Sequence, residues 1–536
     1  MRNKPTFKAY LSAYHNEVTG SRLLVVVEFP DGSTKRVLVD CGYFQEIKYR
    51  YLNYVDDLDP KDIDAIVVTH NHIDHTGMLP KFVKNGYTNK IYMTNITQQL
   101  CPAFLNDCAA QQRENAQDMK ERYPEEAKMF KPLYSAEDVE KTEELIVGLP
   151  YRKTVEILPG IKITFFENGH ILGAGMILLQ CQYKGMKSIN FFFTGDYRMK
   201  NCFYEVPPFP QWLLDMPLIM VNESTYGNTN SDEIKKCLKA NVLESFSKKM
   251  DILIGAFAQG RMQELLYFFK CLQDEGLIPE DYIICIDGSL GIKTTEKYKQ
   301  ILEWYNPEKK DFLPKNVIYV TPKQRDAVIS DKRPKIIITT SGMLSNGPAR
   351  TYVPIFLQKP NTMIHLAGYA AEETLARTLL DAKRESIVKI GHNVITKKAI
   401  VKTTRECTSH ATADEMINDF LKQFNNIVLS IINHGSYENR EIFAKRVAEE
   451  TSAKDVGIID RDNMYVIYQN AQKDDKYNDI FIKKTPAKLN TQFNRIFNKD
   501  AEAKRREKRR KQKANKKKMR NAAKRKRKSE KGKDES

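Results

Sequence analysis

The chain has 536 residues, enough for two or three domains with full cores, and its nine cysteines are scattered without a C-x-x-C pair. That spacing argues against both a disulfide framework and a thiolate zinc site, and no apolar run approaches the length of a membrane span. The formal net charge of +17 is concentrated: residues 504–533 alone hold 19 Lys/Arg against 2 Glu, which leaves the rest of the chain close to neutral.

From the N-terminus, short apolar strands and helical stretches alternate between Phe7 and about Pro207. Val37-Leu38-Val39 leads to Asp40-Cys41-Gly42, and Ala65-Ile66-Val67-Val68 reads as a buried strand. Directly after that strand stands Thr69-His70-Asn71-His72-Ile73-Asp74-His75-Thr76-Gly77, in which three of the nine histidines and one carboxylate fall within six positions. Imidazole and carboxylate are the ligands that zinc and its neighbours favour. Four of them on one loop do not easily close around a single tetrahedral ion, but they suit two adjacent metals, with His70 and His72 facing one way and Asp74 and His75 the other. The following Thr76-Gly77 and Met78-Leu79-Pro80 predict a loop leading into a helix. Residues 98–145 are polar and helix-prone, with Lys/Glu pairs at helical spacing, and predict a surface excursion. Two later strands also end in candidate ligands: Ile163-Thr164-Phe165-Phe166 runs into Glu167-Asn168-Gly169-His170, and Phe191-Phe192-Phe193 into Thr194-Gly195-Asp196.

Pro207-Pro208-Phe209-Pro210 breaks the pattern and marks a boundary. From Leu213 to about Val388, runs such as Ile252-Leu253-Ile254, Ile283-Ile284-Cys285-Ile286 and Ile336-Ile337-Ile338 alternate with helical stretches, a parallel α/β pattern. Ser341, Gly342 and Met343 follow one of these strands. A small-residue turn there exposes backbone N–H groups that can hold a phosphate.

The motif at 70–75, His170 and Asp196 resemble, in order and strand-end placement, the metallo-β-lactamase fold. The resemblance implies that His70, His72 and His170 hold one metal, that Asp74 and His75 hold part of another, and that Asp196 bridges them. Asp40 matches the first motif of that family and would orient a ligand histidine. Segments beyond Asp196 resemble the β-CASP branch of this fold, the RNA- and DNA-processing nucleases. Val221-Asn222-Glu223-Ser224-Thr225 matches its motif A, Thr408-Ser409-His410-Ala411 its motif B, and Ile431-Ile432-Asn433-His434-Gly435 its motif C, whose histidine would complete the second metal's ligands. Phe257-Ala258-Gln259-Gly260-Arg261 and Thr340-Ser341-Gly342-Met343-Leu344 look like further signature segments. Glu17-Val18-Thr19-Gly20-Ser21, Phe44-Gln45 and the stretch Pro132 to Val139 resemble bacterial and archaeal members related to the nuclease subunit of the pre-mRNA cleavage and polyadenylation machinery. The family's usual His-Gly-Glu is His434-Gly435-Ser436 here, and motif B reads Thr408-Ser409-His410. Neither departure removes an imidazole. The motif C histidine, which DNA-repair members tend to lack, tilts the expectation toward RNA.

The expected architecture is therefore α/β. A metallo-β-lactamase αββα sandwich is formed by residues 1–207 and 389–475, a parallel α/β β-CASP domain at 208–388 is inserted into it, and a linker with a disordered basic tail occupies 476–536. The expected activity is hydrolysis of phosphodiester bonds in single-stranded RNA by two Zn²⁺ ions, with Mn²⁺ as the alternative. Asp74 would hold the attacking hydroxide in line, and His410 would protonate the leaving sugar oxygen, with Glu223 keeping that imidazole charged. Ser341, Gly342 and Met343 would hold a phosphate, and Arg261 would either contact RNA or cap a domain interface. The tail would bind RNA or the ribosome through phosphates, with strong salt dependence. A cytoplasmic location away from membranes is expected. A homodimer is among the partners expected; a DNA nuclease of the same family, a small-molecule hydrolase and a non-catalytic RNA-processing scaffold are the alternative functions, and internal against 5′–3′ terminal cutting is open.

Overall fold

The computed structural model describes residues 6–470 and 481–486, apart from 16, 47, 126–129, 235–236, 369, 371–373, 392 and 405. The basic tail lies outside the described residues.

Two mixed sheets pack face to face. One has eight strands, and it runs from an antiparallel meander (Thr6–Ala13, Leu23–Glu28, Thr34–Val39) into parallel strands at Ala65–Val67, Ile91–Thr94 and Ile146–Leu149. The other has seven strands and centres on Gly175–Cys181, Ile189–Phe193, Leu218–Asn222 and Ile427–Ile432. Alternation along each strand decides what goes where. Phe7, Ala9, Leu11, Val37 and Val39 from the first sheet meet Phe165, Ile177, Leu179, Phe191, Phe193 and Ile431 from the second in one core. Each such Val, Leu, Ile or Phe side chain contributes about 1.5–3 kcal/mol by leaving water. Phe192, one position out of phase, packs on the opposite face with Phe209, Phe420, Phe443 and Val447. On the outside of the first sheet, Leu38, Ile66 and Ile91 pack against Leu79, Phe82, Cys101 and Leu105. The result is the αββα sandwich expected.

A third sheet has six strands, all parallel, with Asp251–Gly255 between Lys335–Thr339 and Thr362–Ala367. Its isoleucine runs also split by phase. Ile252, Ile254, Ile336 and Ile338 meet Leu265, Phe269 and Ile301 on one face, while Leu253 and Ile337 meet Val353, Phe356 and Leu379 on the other. Helices thus cover both faces, as a buried parallel sheet requires.

Sheet membership marks the crossovers between the sheets, and one expectation needs correction. Leu218–Asn222 belongs to the seven-stranded sheet, where it is parallel to both Ile189–Phe193 and Ile427–Ile432, and Ile400–Thr404 is the edge of the six-stranded sheet. By sheet membership the chain crosses over after Asn222 and after Thr404. Residues 98–145 are not only a surface excursion. The helix Asn95–Arg122 buries Ile96, Leu100, Cys101, Phe104 and Leu105 in its first half and Ala109 and Ala116 in its second, which is otherwise mostly polar. Inside the histidine motif Ile73–Thr76 forms a helical turn with His72 as its N-cap residue, and the turn at Gly77-Met78 then leads into the helix Leu79–Lys84, as expected.

Candidate metal centre

The histidine motif is shaped by the segment beside it. Cys41 and Tyr43 donate backbone hydrogen bonds to the carbonyls of His75 and Ile73, and Ser21 N–H to that of Asp74. A Cβ on Gly42 would sit 1.7 Å from the Asp74 carbonyl oxygen, so only glycine permits this approach. Asn168, at the end of strand Ile161–Glu167, donates from Nδ2 to the carbonyls of Thr194 and Asp196 at 3.2 and 2.9 Å. That pair of bonds ties the loop carrying His170 to the loop carrying Asp196.

Two groups that could hold a metal ion result, and they share Asp196. In the first, His72 Nδ1 lies 3.1 Å from His70 Nε2 and 3.2 Å from His170 Nε2. His170 Nδ1–H donates to the Ser409 carbonyl at 3.0 Å, which leaves its Nε2 with a lone pair facing the other two rings. In the second, His75 Nε2 lies 3.2 Å from His434 Nε2, and Asp74 Oδ2 is 3.8 and 3.9 Å from these two nitrogens. Asp196 Oδ2 stands between the sets, 3.4 Å from His75 Nε2, 3.7 Å from His70 Nε2 and 3.9 Å from His170 Nε2. A third group, Asp196, Glu223 and His410, adjoins both.

The chemistry of these donors fits divalent cations. Three converging ring nitrogens cannot all hydrogen-bond one another, and buried Asp196 Oδ1 makes no hydrogen bond, with His434 Nδ1 3.2 Å from it. Buried acceptors left in this state are costly unless a cation stands among them. For the imidazoles of the first set, electrostatics agree. Burial, with the neighbouring His75 and His170, pushes the His70 imidazolium far below its ordinary range. Burial takes His72 down to about 4 against the pull of Asp74 and Asp196. Burial also lowers His170, helped by the charge on His410. These three rings are therefore neutral. Burial would raise Asp196, but the imidazoles of His434 and His75 hold it well below the carboxylate range. Likewise Asp74 is held at about 2 by His75 and His434 against its burial. Both are carboxylates at any working pH.

Behind the second set stands Asp40, whose Oδ2 accepts from His75 Nδ1–H at 2.7 Å and whose Oδ1 accepts from the Thr69 N–H at 2.8 Å. This bond turns the Nε2 of His75 toward the cluster. His410 Nδ1 lies 2.9 and 3.0 Å from the two Glu223 oxygens, and its Nε2 is 4.0 Å from Asp196 Oδ2. Burial opposes a charge on His410, yet Glu223 raises it to about 9.

The sequence matches the family description of the Metallo-beta-lactamase superfamily over residues 20–159 and that of the Beta-Casp domain over residues 262–379. The chain carries a metallo-β-lactamase domain and a β-CASP domain. The relatives include an "RNase J-like protein" of Methanocaldococcus jannaschii, 28% identical over 77% of this chain and 90% of its own length. The "Transcription termination factor FttA" of Pyrococcus abyssi is 30% identical over 66% of this chain and 55% of its own. The "Endoribonuclease ysh1" of Schizosaccharomyces pombe is 26% identical over 76% and 51%. The chain thus spans nearly all of the first but about half the length of the other two.

Within this metallo-β-lactamase and β-CASP pair, the structure brings together His70, His72, Asp74, His75, His170, Asp196 and His434, with His410 and Glu223 beside them and Asp40 behind. Ser341, Gly342 and Met343 are outside these groups. They lie at the C-terminal end of the six-stranded sheet, where the Gly342 Cα faces the Phe257 ring. Arg261 is 8% exposed and pairs with Glu264 at 3.5 Å. The β-CASP side is joined to the histidine motif by Asn71 Nδ2, which donates to Gln259 Oε1 at 2.6 Å. Reading the sequence alone missed Asn71, Asn168, Gln259, Thr69 and the Ser409 carbonyl. Asn71 and Asn168 carried a usable signal, because each sits among ligand residues on a loop that the flanking strands bury. A backbone carbonyl carries none.

Proposed function

We propose that the protein is a metal-dependent ribonuclease that hydrolyses phosphodiester bonds in single-stranded RNA with two Zn²⁺ ions. The observation that carries this reading is the position of the His410–Glu223 pair beside two ligand sets sharing Asp196. His70, His72, His170 and Asp196 would hold one ion, and Asp74, His75, His434 and Asp196 the other. When bound, the ions would acidify water and neutralise the charge that builds on a phosphate oxygen. Asp74, whose side chain is 17% exposed, would accept a hydrogen bond from the attacking water and align it. As the phosphorus–oxygen bond to the leaving sugar breaks, His410 would pass its Nε2 proton to that oxygen. Glu223 holds Nδ1–H, fixes the ring and keeps it protonated. Asp40 keeps His75 in its tautomer. The relatives named as an RNase J-like protein and an endoribonuclease support RNA as the substrate. Ser341, Gly342 and Met343 would take a phosphate of the strand, while the burial of Arg261 favours its role at the domain interface. We take the metallo-β-lactamase domain as residues up to 222 and from 405, and the β-CASP domain as the segment between.

The test is cleavage of end-labelled RNA, carrying 5′-hydroxyl or 5′-monophosphate, beside the same sequence as DNA, with Zn²⁺ or Mn²⁺. Asp74→Ala with His75→Ala should abolish cleavage. Cleavage that survives the double change, or activity in chelator-washed protein free of bound ions, would overturn the reading.

A further inference from the structure

His15 belongs to none of the three ligand groups, yet it is fully buried and reaches the last of the ligand loops. It follows strand Thr6–Ala13 of the eight-stranded sheet, whereas Asn433 ends strand Ile427–Ile432 of the seven-stranded one. His15 Nε2 lies 2.8 Å from Asn433 Oδ1, and His15 Nδ1 lies 3.1 Å from the Arg22 backbone nitrogen. A backbone N–H only donates, so Nδ1 is the acceptor and Nε2–H must donate to Asn433. Burial, reinforced by the charge of His434, takes the His15 pKa down to about 3, so this tautomer persists across the working range.

The anchor itself is stiff. The Arg22 guanidinium pairs at 3.1 Å with buried Asp57, which Arg461 also meets at 3.0 Å, and Arg461 donates to the Tyr14 carbonyl at 3.2 Å. At the far end, Asn433 is held by its N–H to the Asn222 carbonyl and by its own carbonyl to Ser224 Oγ, both 2.8 Å. The next residue, His434, has φ 45°, a left-handed conformation that is unfavourable for a non-glycine residue. Such a conformation persists only where its neighbours over-determine it.

We propose that His15 is a positioning residue for His434: its hydrogen bond to Asn433 braces the left-handed turn that aims the His434 imidazole at Asp74, His75 and Asp196. The role rests on the two-metal reading above. It links the two sheets at the second ligand set and leaves the first set alone.

The test is a Zn²⁺ titration of the full chain against a chromophoric chelator. Wild type should take two ions in two steps, and His434→Ala identifies the step that depends on the second set. Wild type that binds fewer than two ions would overturn the two-metal reading and this role together. His15→Ala should weaken that same step about 10-fold to 100-fold, in line with the loss of residues that orient ligands, and leave the other unchanged. His15→Gln keeps an N–H at the reach of Nε2 and should restore the step. His15→Asn reaches only the Arg22 N–H and should not. With wild type binding two ions, the proposal fails if His15→Ala leaves both steps intact, if both weaken equally, or if the Gln and Asn variants behave alike. The last comparison holds even where alanine destabilises the fold.

Discussion

His410 Nδ1 sits 2.9 Å from Oε2 of Glu223, a residue 187 positions earlier in the chain. Glu223 closes strand Leu218–Asn222, and it also accepts from the Tyr197 N–H at 2.6 Å. The carboxylate therefore cannot swing away, and the imidazole it holds presents Nε2 toward Asp196. One side chain thus fixes both the direction and the charge of the other.

The pair sets a pH dependence. His410 has its pKa raised to about 9, so the imidazolium is complete well below that value and is lost as pH rises through it. The rate of RNA cleavage should fall on the alkaline side with a limb near 9, and Glu223→Gln should move that limb to lower pH. His410→Ala should cost about 10²- to 10⁴-fold in kcat. An activated diester such as bis(p-nitrophenyl) phosphate needs no proton on its leaving group, so its turnover should change far less. A Glu223→Gln profile that superimposes on wild type would sink the assignment.

Asp40 has a narrower task. Asp40→Ala removes the acceptor for His75 Nδ1–H and for the Thr69 N–H. Metal affinity should drop about 10-fold to 100-fold, read by chelator competition, while far-ultraviolet circular dichroism stays near wild type. Unchanged affinity would show that His75 is oriented by its backbone alone.

Gly42 tests the local packing of the motif. Its Cβ would overlap the Asp74 carbonyl oxygen and stand 2.6 Å from the Ser21 nitrogen, so Gly42→Ala must part the bonds that hold Asp74 and Ser21 together. Overpacking of this kind costs about 1–3 kcal/mol. A lowered Tm together with loss of bound metal is expected. A variant that keeps both would mean that the 40–43 segment yields without moving Asp74.

The tail is argued from charge alone. Deleting residues 501–536 removes the block of 19 Lys/Arg at 504–533. RNA affinity should weaken most at low salt, and the slope of log K against log salt should flatten because fewer counterions are released. Turnover of a short oligomer should be nearly unchanged. Identical salt slopes with and without the segment would refute an RNA-binding role.

What the sequence determined by itself was local. Four potential ligands within six residues after an apolar strand, and isoleucine runs alternating with helical stretches, are written in neighbouring positions, so residue type and spacing suffice to read them. The tertiary structure decided what depends on which strand adjoins which. Hydropathy is alike in Leu218–Asn222 and the strands of the six-stranded sheet, so only the pairing with Ile189–Phe193 assigns that strand to the sandwich. The inner face of helix Asn95–Arg122 becomes apolar surface only when a sheet lies under it. His15 meets Asn433 across 418 positions through the contact of two sheets. A hydrogen bond at such separation leaves no periodicity or local composition behind, because each partner is one polar residue among many until folding buries both together.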